Sequence, residues 1–371
     1  MSEGFVPPRA PSRSAILAFT LLGGVALFLL LEGAVRLLLP APDSTRFGEL
    51  GRLVIDLGLP SLQKALVPDR SLFWRLRPGL LPTIVEGRVG PSDPIRFTLS
   101  TTPDGFRSPA PGGPPSVVCL GDSCTFGLGV DDAETFPAQL GGSTGTAVLN
   151  AGVPGYTAFQ GRRLLESRLA EWSPKAIVVQ FGWNDALVWD GRSDAEHAAL
   201  IAKEPAGPLH LRLVQLLVTL LPAIPGRSEK AAGRPRLMPE EFAGELRDIV
   251  RLSRSAGALP VLVLWPARYH LQGIRIPPHA DVIRKVAAAE GAPLVDLFTI
   301  FSREGSAALY ADAVHASAAG NRVVAAAVAT ALHGSLRENT PGSSSASASG
   351  RGASPPPSGT RSPPSSSSSG N

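Results

Sequence analysis

Ser123 stands three residues past the end of a short apolar run. Val117-Val118-Cys119-Leu120, preceded by proline and glycine, reads as a buried strand, and Gly121-Asp122-Ser123 turns out of it. A serine at that point lies on the carboxyl edge of a sheet, where open α/β folds bind ligands. It can act as a nucleophile if the chain also supplies a base and donors for an oxyanion. Asp312-Ala313-Val314-His315 offers the base. The short spacing lets one turn present a carboxylate and an imidazole to the same point. Asp312 would then hold His315 in the tautomer that accepts the serine proton. Two further polar turns follow apolar runs: Asn150-Ala151-Gly152 and Gly182-Trp183-Asn184-Asp185. The backbone N–H groups of Ser123 and Gly152 and the side-chain amide of Asn184 are the candidate oxyanion donors.

Each residue also has a plainer reading. Ser123 or Asp122 can cap a helix, Gly152 can be a turn glycine, and Asn184 can make an Asx turn. His315 can be a surface histidine near a helix start. Asp185 reads as structural, and Trp183 as packing beside the cleft. Taken together and in this order, the residues point to catalysis.

The order Ser, Gly, Asn, Asp-x-x-His resembles the SGNH (GDSL-type) hydrolase family, in a membrane-anchored form. The residues that carry the resemblance are Gly121-Asp122-Ser123, Gly152, Gly182-x-Asn184-Asp185 and Asp312-x-x-His315, within roughly residues 116–333. The chain departs from the family pattern at Ala316, where proline often follows the histidine, and at Asn321, where a histidine is common. The resemblance implies ester hydrolysis through an acyl-enzyme without a cofactor. Its substrate would be an O-acyl or O-acetyl ester of a lipid or an envelope carbohydrate. An acyltransferase with the same triad and a non-catalytic, membrane-tethered binding or assembly protein are the alternatives.

The elements around these residues fit that expectation. From 116 onward, apolar strands alternate with helical stretches: Tyr156–Trp172, Pro239–Ala256, Pro278–Glu290 and Ser317–Leu332. Strands read at 147–149, 177–181, 261–265 and 294–296. Five parallel-type strands with helices between them predict a flavodoxin-like three-layer α/β/α sandwich. Composition adds exclusions. Lys and Arg total 35 against 31 Asp and Glu, a net charge of +4, and no compact basic run with interleaved aromatics suggests nucleic acid. The six His and two Cys show no metal-binding spacing. Cys119 and Cys124 read as small buried residues, because an extended strand would hold them too far apart to bridge.

Before and after this region the chain changes character. Residues 1–14 form a polar tail with Arg9 and Arg13. Ala15–Leu31 then carries no charge over about 26 Å of helical rise. The expected anchor spans 15–35, with Arg36 snorkelling at its end; a cleaved signal peptide and a buried core helix are the alternatives. The arginines favour an inside N-terminus, a single pass through the cytoplasmic membrane and a periplasmic or extracytoplasmic catalytic domain. Residues 37–115 read as a small extended module. Its Arg75, Arg77 and Arg107 either line the cleft or, the favoured reading, pack their stems at the surface around Trp74 and Phe106. Residues 186–238 are an insertion whose Leu209–Leu221 run is a lid, a membrane-surface helix or a core helix. His197 and His210 within it read as surface histidines. The Ser/Pro/Gly-rich stretch 339–371 is too poor in apolar residues to build a core.

Overall fold

The computed structural model describes residues 12–38, 59–89, 94–189, 191–203, 213, 233–274, 278–304 and 307–338. Residues 1–11, most of the 209–221 run including His210, and the stretch 339–371 lie outside them. A 26-residue apolar helix, α1 (Arg13–Leu38), opens the described chain and keeps its long apolar side chains exposed. It is long and apolar enough to cross a membrane. Near its end, Glu32 pairs with Arg36 at 2.6 Å and accepts the backbone N–H of Leu213, from the insertion, at 2.8 Å.

A short helix α2 (Pro60–Lys64) and two antiparallel hairpins follow. β1 (Leu66–Asp69) pairs with β2 (Phe73–Leu76), and β3 (Thr83–Arg88) with β4 (Pro94–Leu99). The α/β unit then runs β5 (Val117–Gly121), α3 (Ser123–Phe126), α4 (Phe136–Thr144), β6 (Val148–Gly152), α5 (Ala158–Trp172) and β7 (Ala176–Gln180). After α6 (Asp194–Lys203) come α7 (Pro239–Ser255), β8 (Leu259–Leu264), α8 (Pro278–Glu290), β9 (Leu294–Asp296), α9 (Leu297–Glu304) and α10 (Ala318–Glu338). The strands form one parallel sheet in the order β6-β5-β7-β8-β9. Counted from β5, this is the 2-1-3-4-5 order of a doubly wound flavodoxin-like sheet. β5, β6 and β7 are buried throughout, so both faces must be covered by helices.

One face packs against α5, α7 and α8, the other against α4, α9 and α10. Phe73, Trp74, Leu76, Phe97 and Leu99 of the hairpins share the first of these cores with Leu120, Val153 and Tyr156. The two hairpins thus bury their aromatics against the α/β core. α6 and α9, and the strands β1 and β3, were not read from the sequence. α6 begins inside the insertion with Asp194, and its His197 is buried between the rings of Phe73 and Trp189, contrary to the surface expectation.

Candidate active site

The sheet order places the ends of β5, β6 and β7 side by side, and each contributes a turn. β5 ends at Gly121, where an added Cβ would stand 2.1 Å from Thr125 Oγ1 and 2.6 Å from the Gln180 carbonyl, so no side chain fits. Asp122 caps α3, its Oδ1 accepting the Cys124 N–H at 2.8 Å, and Ser123 occupies the first helical position, half-buried. Far along the chain, the loop before α10 carries Asp312 and His315. Asp312 Oδ1 accepts the N–H groups of Val314 and His315, both at 2.7 Å, and folds that loop into a tight turn. Its Oδ2 meets His315 Nδ1 at 2.7 Å, and His315 Nε2 meets Ser123 Oγ at 2.8 Å.

The loop is held from behind as well. Trp265 Nε1 donates to the Val314 carbonyl at 2.9 Å and the Ala311 N–H to the His315 carbonyl at 2.8 Å. Asn321, one of the two departures from the family pattern, is buried. It links the loop to α4, accepting the Phe136 N–H at 2.9 Å and donating to the Ala316 carbonyl at 3.0 Å. The Nδ1–Oδ2 contact assigns the Nδ1 proton to the Asp312 side, leaving Nε2 to accept from Ser123. Burial pushes the Asp312 carboxyl up, but the adjacent imidazole and the three hydrogen bonds outweigh it and leave the group below its usual range. Asp312 therefore stays ionised.

The three proposed oxyanion donors fare differently. No partner among the described residues takes the Ser123 N–H. Asn184 gives one of its amide hydrogens to the Tyr156 carbonyl at 3.0 Å, which fixes the amide and leaves the second hydrogen. The Gly152 N–H, in contrast, is taken by Asn150 Oδ1 at 3.0 Å. Gly152 serves packing instead: a Cβ there would lie 2.2 Å from the Phe126 nitrogen, in the helix that carries Ser123. Three residues on, Gly155 is buried at φ +82°, and its N–H has no partner among the described residues. It lies next to the Tyr156 carbonyl that holds Asn184. Sequence reading missed Gly155, because one glycine in Val153-Pro154-Gly155-Tyr156 looks like any turn glycine.

Two buried carboxyls flank these turns. Burial pushes Asp122 up to about 6 and Asp185 to about 7, each pulled back in part by backbone N–H donors. Asp185 ties two loops together, accepting the Ala158 N–H and the Gly182 N–H at 2.8 Å each. Trp183 stacks on His270 beside the cleft, with ring centroids 5.4 Å apart. Cys119 and Cys124 are free and buried, and burial raises both thiols. Arg107 follows neither sequence reading, for it is wholly buried. It donates to the Phe126 and Gly127 carbonyls at 2.6 Å each, to the Val130 carbonyl at 2.6 Å, and to Asp132 at 2.9 Å. It thereby secures the C-terminal end of the serine helix.

The model of the GDSL-like lipase/acylhydrolase family matches residues 119–323, more than half of the chain. The chain belongs to that family. As a GDSL-like acylhydrolase it is a carboxylic ester hydrolase. No curated protein sequence matches it. Similar solved structures include a lipase/acylhydrolase from Enterococcus faecalis, 20% identical over 59% of this chain and 95% of that one, with a TM-score of 0.41. LAE5, an alpha/beta hydrolase enzyme from the metagenome of Lake Arreo, is 19% identical over 60% of this chain and 96% of its own, at 0.41. The acetyl xylan esterase AlAXEase is 17% identical over 58% and 98%, at 0.41.

Proposed function

We propose that this acylhydrolase cleaves O-acyl or O-acetyl esters through a Ser123 acyl-enzyme. The observation that carries the reading is the continuous line Asp312 Oδ2–His315 Nδ1 at 2.7 Å and His315 Nε2–Ser123 Oγ at 2.8 Å. His315 takes the hydroxyl proton as Ser123 Oγ bonds to the ester carbonyl, and the tetrahedral oxyanion forms. The same imidazolium then protonates the leaving alkoxide, which departs as the alcohol. Water, deprotonated by His315, attacks the acyl-enzyme; the bond from the acyl carbon to Ser123 Oγ then breaks, the imidazolium returns its proton to Oγ, and the acid leaves. Asp312 stabilises the transient imidazolium. The Ser123 N–H, the Gly155 N–H and the Asn184 amide hold the oxyanion, and each well-placed donor contributes roughly 3 kcal/mol to lowering the barrier. Gly155 replaces Gly152 in this role because its N–H is unpartnered. No cofactor takes part in these steps.

Residues 15–35 act in this reading as an uncleaved anchor, with Arg9 and Arg13 on the cytoplasmic side and the residues after the helix outside. That location favours esters of envelope carbohydrates or lipids as substrates. The two hairpins and the described ends of the 186–238 insertion then belong to one catalytic body with the α/β unit.

The test is hydrolysis of p-nitrophenyl acetate and longer-chain esters by the full-length protein in detergent, alongside Ser123→Ala. Saturable hydrolysis that falls by three or more orders of magnitude in Ser123→Ala supports the reading. Equal rates for the two folded proteins across acyl lengths would overturn it. An excess of a sugar alcohol in the same assay separates transfer to a hydroxyl from transfer to water.

A further inference from the structure

The turn that carries Gly155 is held by residues that the triad does not explain. Tyr156 donates its N–H to the Val153 carbonyl at 3.2 Å, and Gly155 in between sits at φ +82°. With proline at the first central position and glycine at the second, this is a type II turn. The same four residues with the central peptide rotated would give a type I turn. That rotation would carry the Gly155 N–H to the opposite side. Something must therefore choose the orientation of the Pro154–Gly155 peptide.

Two side chains do so, from opposite appendages of the fold. Trp74, on β2, donates its Nε1–H to the Pro154 carbonyl at 3.0 Å and is fully buried. In a trans peptide the C=O and the next N–H point in opposite directions. Fixing the Pro154 carbonyl toward Trp74 therefore fixes the Gly155 N–H away from it. Arg236, from the end of the insertion, donates Nη1 to the Gly155 carbonyl at 2.6 Å and so fixes the following peptide as well. Arg236 is itself locked. It forms a two-pronged pair with Asp194 at 2.8 Å on each arm, donates to Gln160 Oε1 at 2.7 Å and lies 3.7 Å from the centre of the Trp189 ring. Asp194 also receives the Thr157 hydroxyl at 2.6 Å, closing the network on the residue next to the turn. Tyr156 returns a bond to the Trp74 carbonyl at 2.6 Å.

We infer that Trp74 and Arg236 are positioning residues for the oxyanion site: together they hold two successive peptides so that the Gly155 N–H faces the reacting carbonyl. The inference rests on Gly155 being an oxyanion donor in the proposed reaction. It gives the hairpin region and the insertion one shared task, since each supplies one of the two clamps. An enzyme built this way needs both appendages for rate, because the donor must be aimed before the oxyanion forms.

The experiment measures kcat and KM of the full-length protein on a p-nitrophenyl ester, together with the inactivation rate by an ethyl p-nitrophenyl phosphonate. Trp74→Phe removes the indole N–H and keeps an aromatic ring. It is expected to lower kcat about tenfold or more with KM within about threefold, and to slow phosphonylation by a similar factor. Arg236→Lys keeps the positive charge opposite Asp194 but loses the fork that spans Asp194, Gln160 and Gly155, and should show the same split. Trp172→Phe, a buried indole that packs on Phe106, controls for loss of packing and should leave kcat unchanged at a comparable loss of Tm. If Trp74→Phe does not fold, Arg236→Lys carries the test. Folded variants with wild-type kcat and phosphonylation rate, or a kcat loss matched by Trp172→Phe, would overturn the inference. If the wild-type protein itself shows no Ser123-dependent hydrolysis, the proposed reaction fails instead.

Discussion

At the scale of single residues, the site combines an ionised carboxylate with two buried ones that resist ionisation. Asp312 is depressed and Asp122 and Asp185 are raised, so their pH effects have opposite signs. A carboxyl raised by folding binds its proton more tightly in the native state. Its effect on stability is therefore a penalty that grows as pH climbs from about 4 through the folded values near 6 and 7. The Asp312 contribution is already complete above the unfolded value near 4 and is lost only in more acid solution. The protein is expected to melt at a higher temperature at pH 5.5 than at pH 8. Asp122→Asn, whose carbonyl can still accept the Cys124 N–H, should reduce that difference and leave the part due to Asp185; thermal melts of both proteins across this range check it. An unchanged slope would remove Asp122 as a source of the dependence. The triad residues were legible in the sequence because each announces itself locally, Ser123 by its strand end and Asp312-x-x-His315 by its spacing. Gly155 was not, because only the occupied N–H of Gly152 and the open one of Gly155 tell the two glycines apart.

At the scale of elements, the serine helix is a single turn, and a helix that short does not hold itself. Its ends are secured by other elements: Asp122 caps the start, and Arg107, reaching in after β4, holds the carbonyls at the finish. Truncating a fully buried guanidinium leaves Asp132 and four carbonyls, those of Thr98, Phe126, Gly127 and Val130, without it. Arg107→Met is expected to cost about 3–5 kcal/mol by denaturant titration and to lower activity in the folded fraction. A loss below 1 kcal/mol would mean that water or a neighbour takes over those carbonyls. Gly152→Ala presses a methyl group onto the Phe126 backbone from β6 and should lower both Tm and kcat. Most of the α/β strands and helices could be read from periodicity, since fully buried parallel strands are continuous apolar runs. The hairpin strand β3, Thr83-Ile84-Val85-Glu86-Gly87-Arg88, was not read. It is half-exposed, lies among prolines and glycines, and gains its place from β4 rather than from its own pattern. Arg107 and Arg236 were missed as buried residues for a related reason. Their partners, Asp132 and Asp194, lie 25 and 42 residues away, and nothing local marks the pairing.

At the scale of the whole molecule, the apolar helix and the catalytic body are joined by more than the chain. The helix exposes Leu, Phe and Ile side chains along nearly its full length, a surface that water disfavours and a lipid core accepts. Only at its far end does it carry the Glu32–Arg36 pair, where Glu32 also meets Leu213 of the insertion. A carboxylate–guanidinium pair is accommodated at a membrane interface more readily than at a bilayer centre, so in the proposed anchored form the pair would lie near the headgroups and Ala15–Leu31 in the hydrocarbon. In that form the Leu213–Glu32 contact would join the insertion to the anchor near the headgroups and hold the catalytic body close to the membrane. Two outcomes follow for the full-length protein. It should remain in the pellet after alkaline carbonate extraction of membranes, whereas a variant lacking residues 1–38 should be released. Glu32→Ala should leave it in the pellet yet increase protease cleavage between the anchor and residue 59, because the carboxylate that receives Leu213 is gone. Release of the full-length protein by carbonate would replace the anchor with a cleaved or peripheral segment. Cleavage unchanged by Glu32→Ala would mean that the Leu213 contact does not restrain the body.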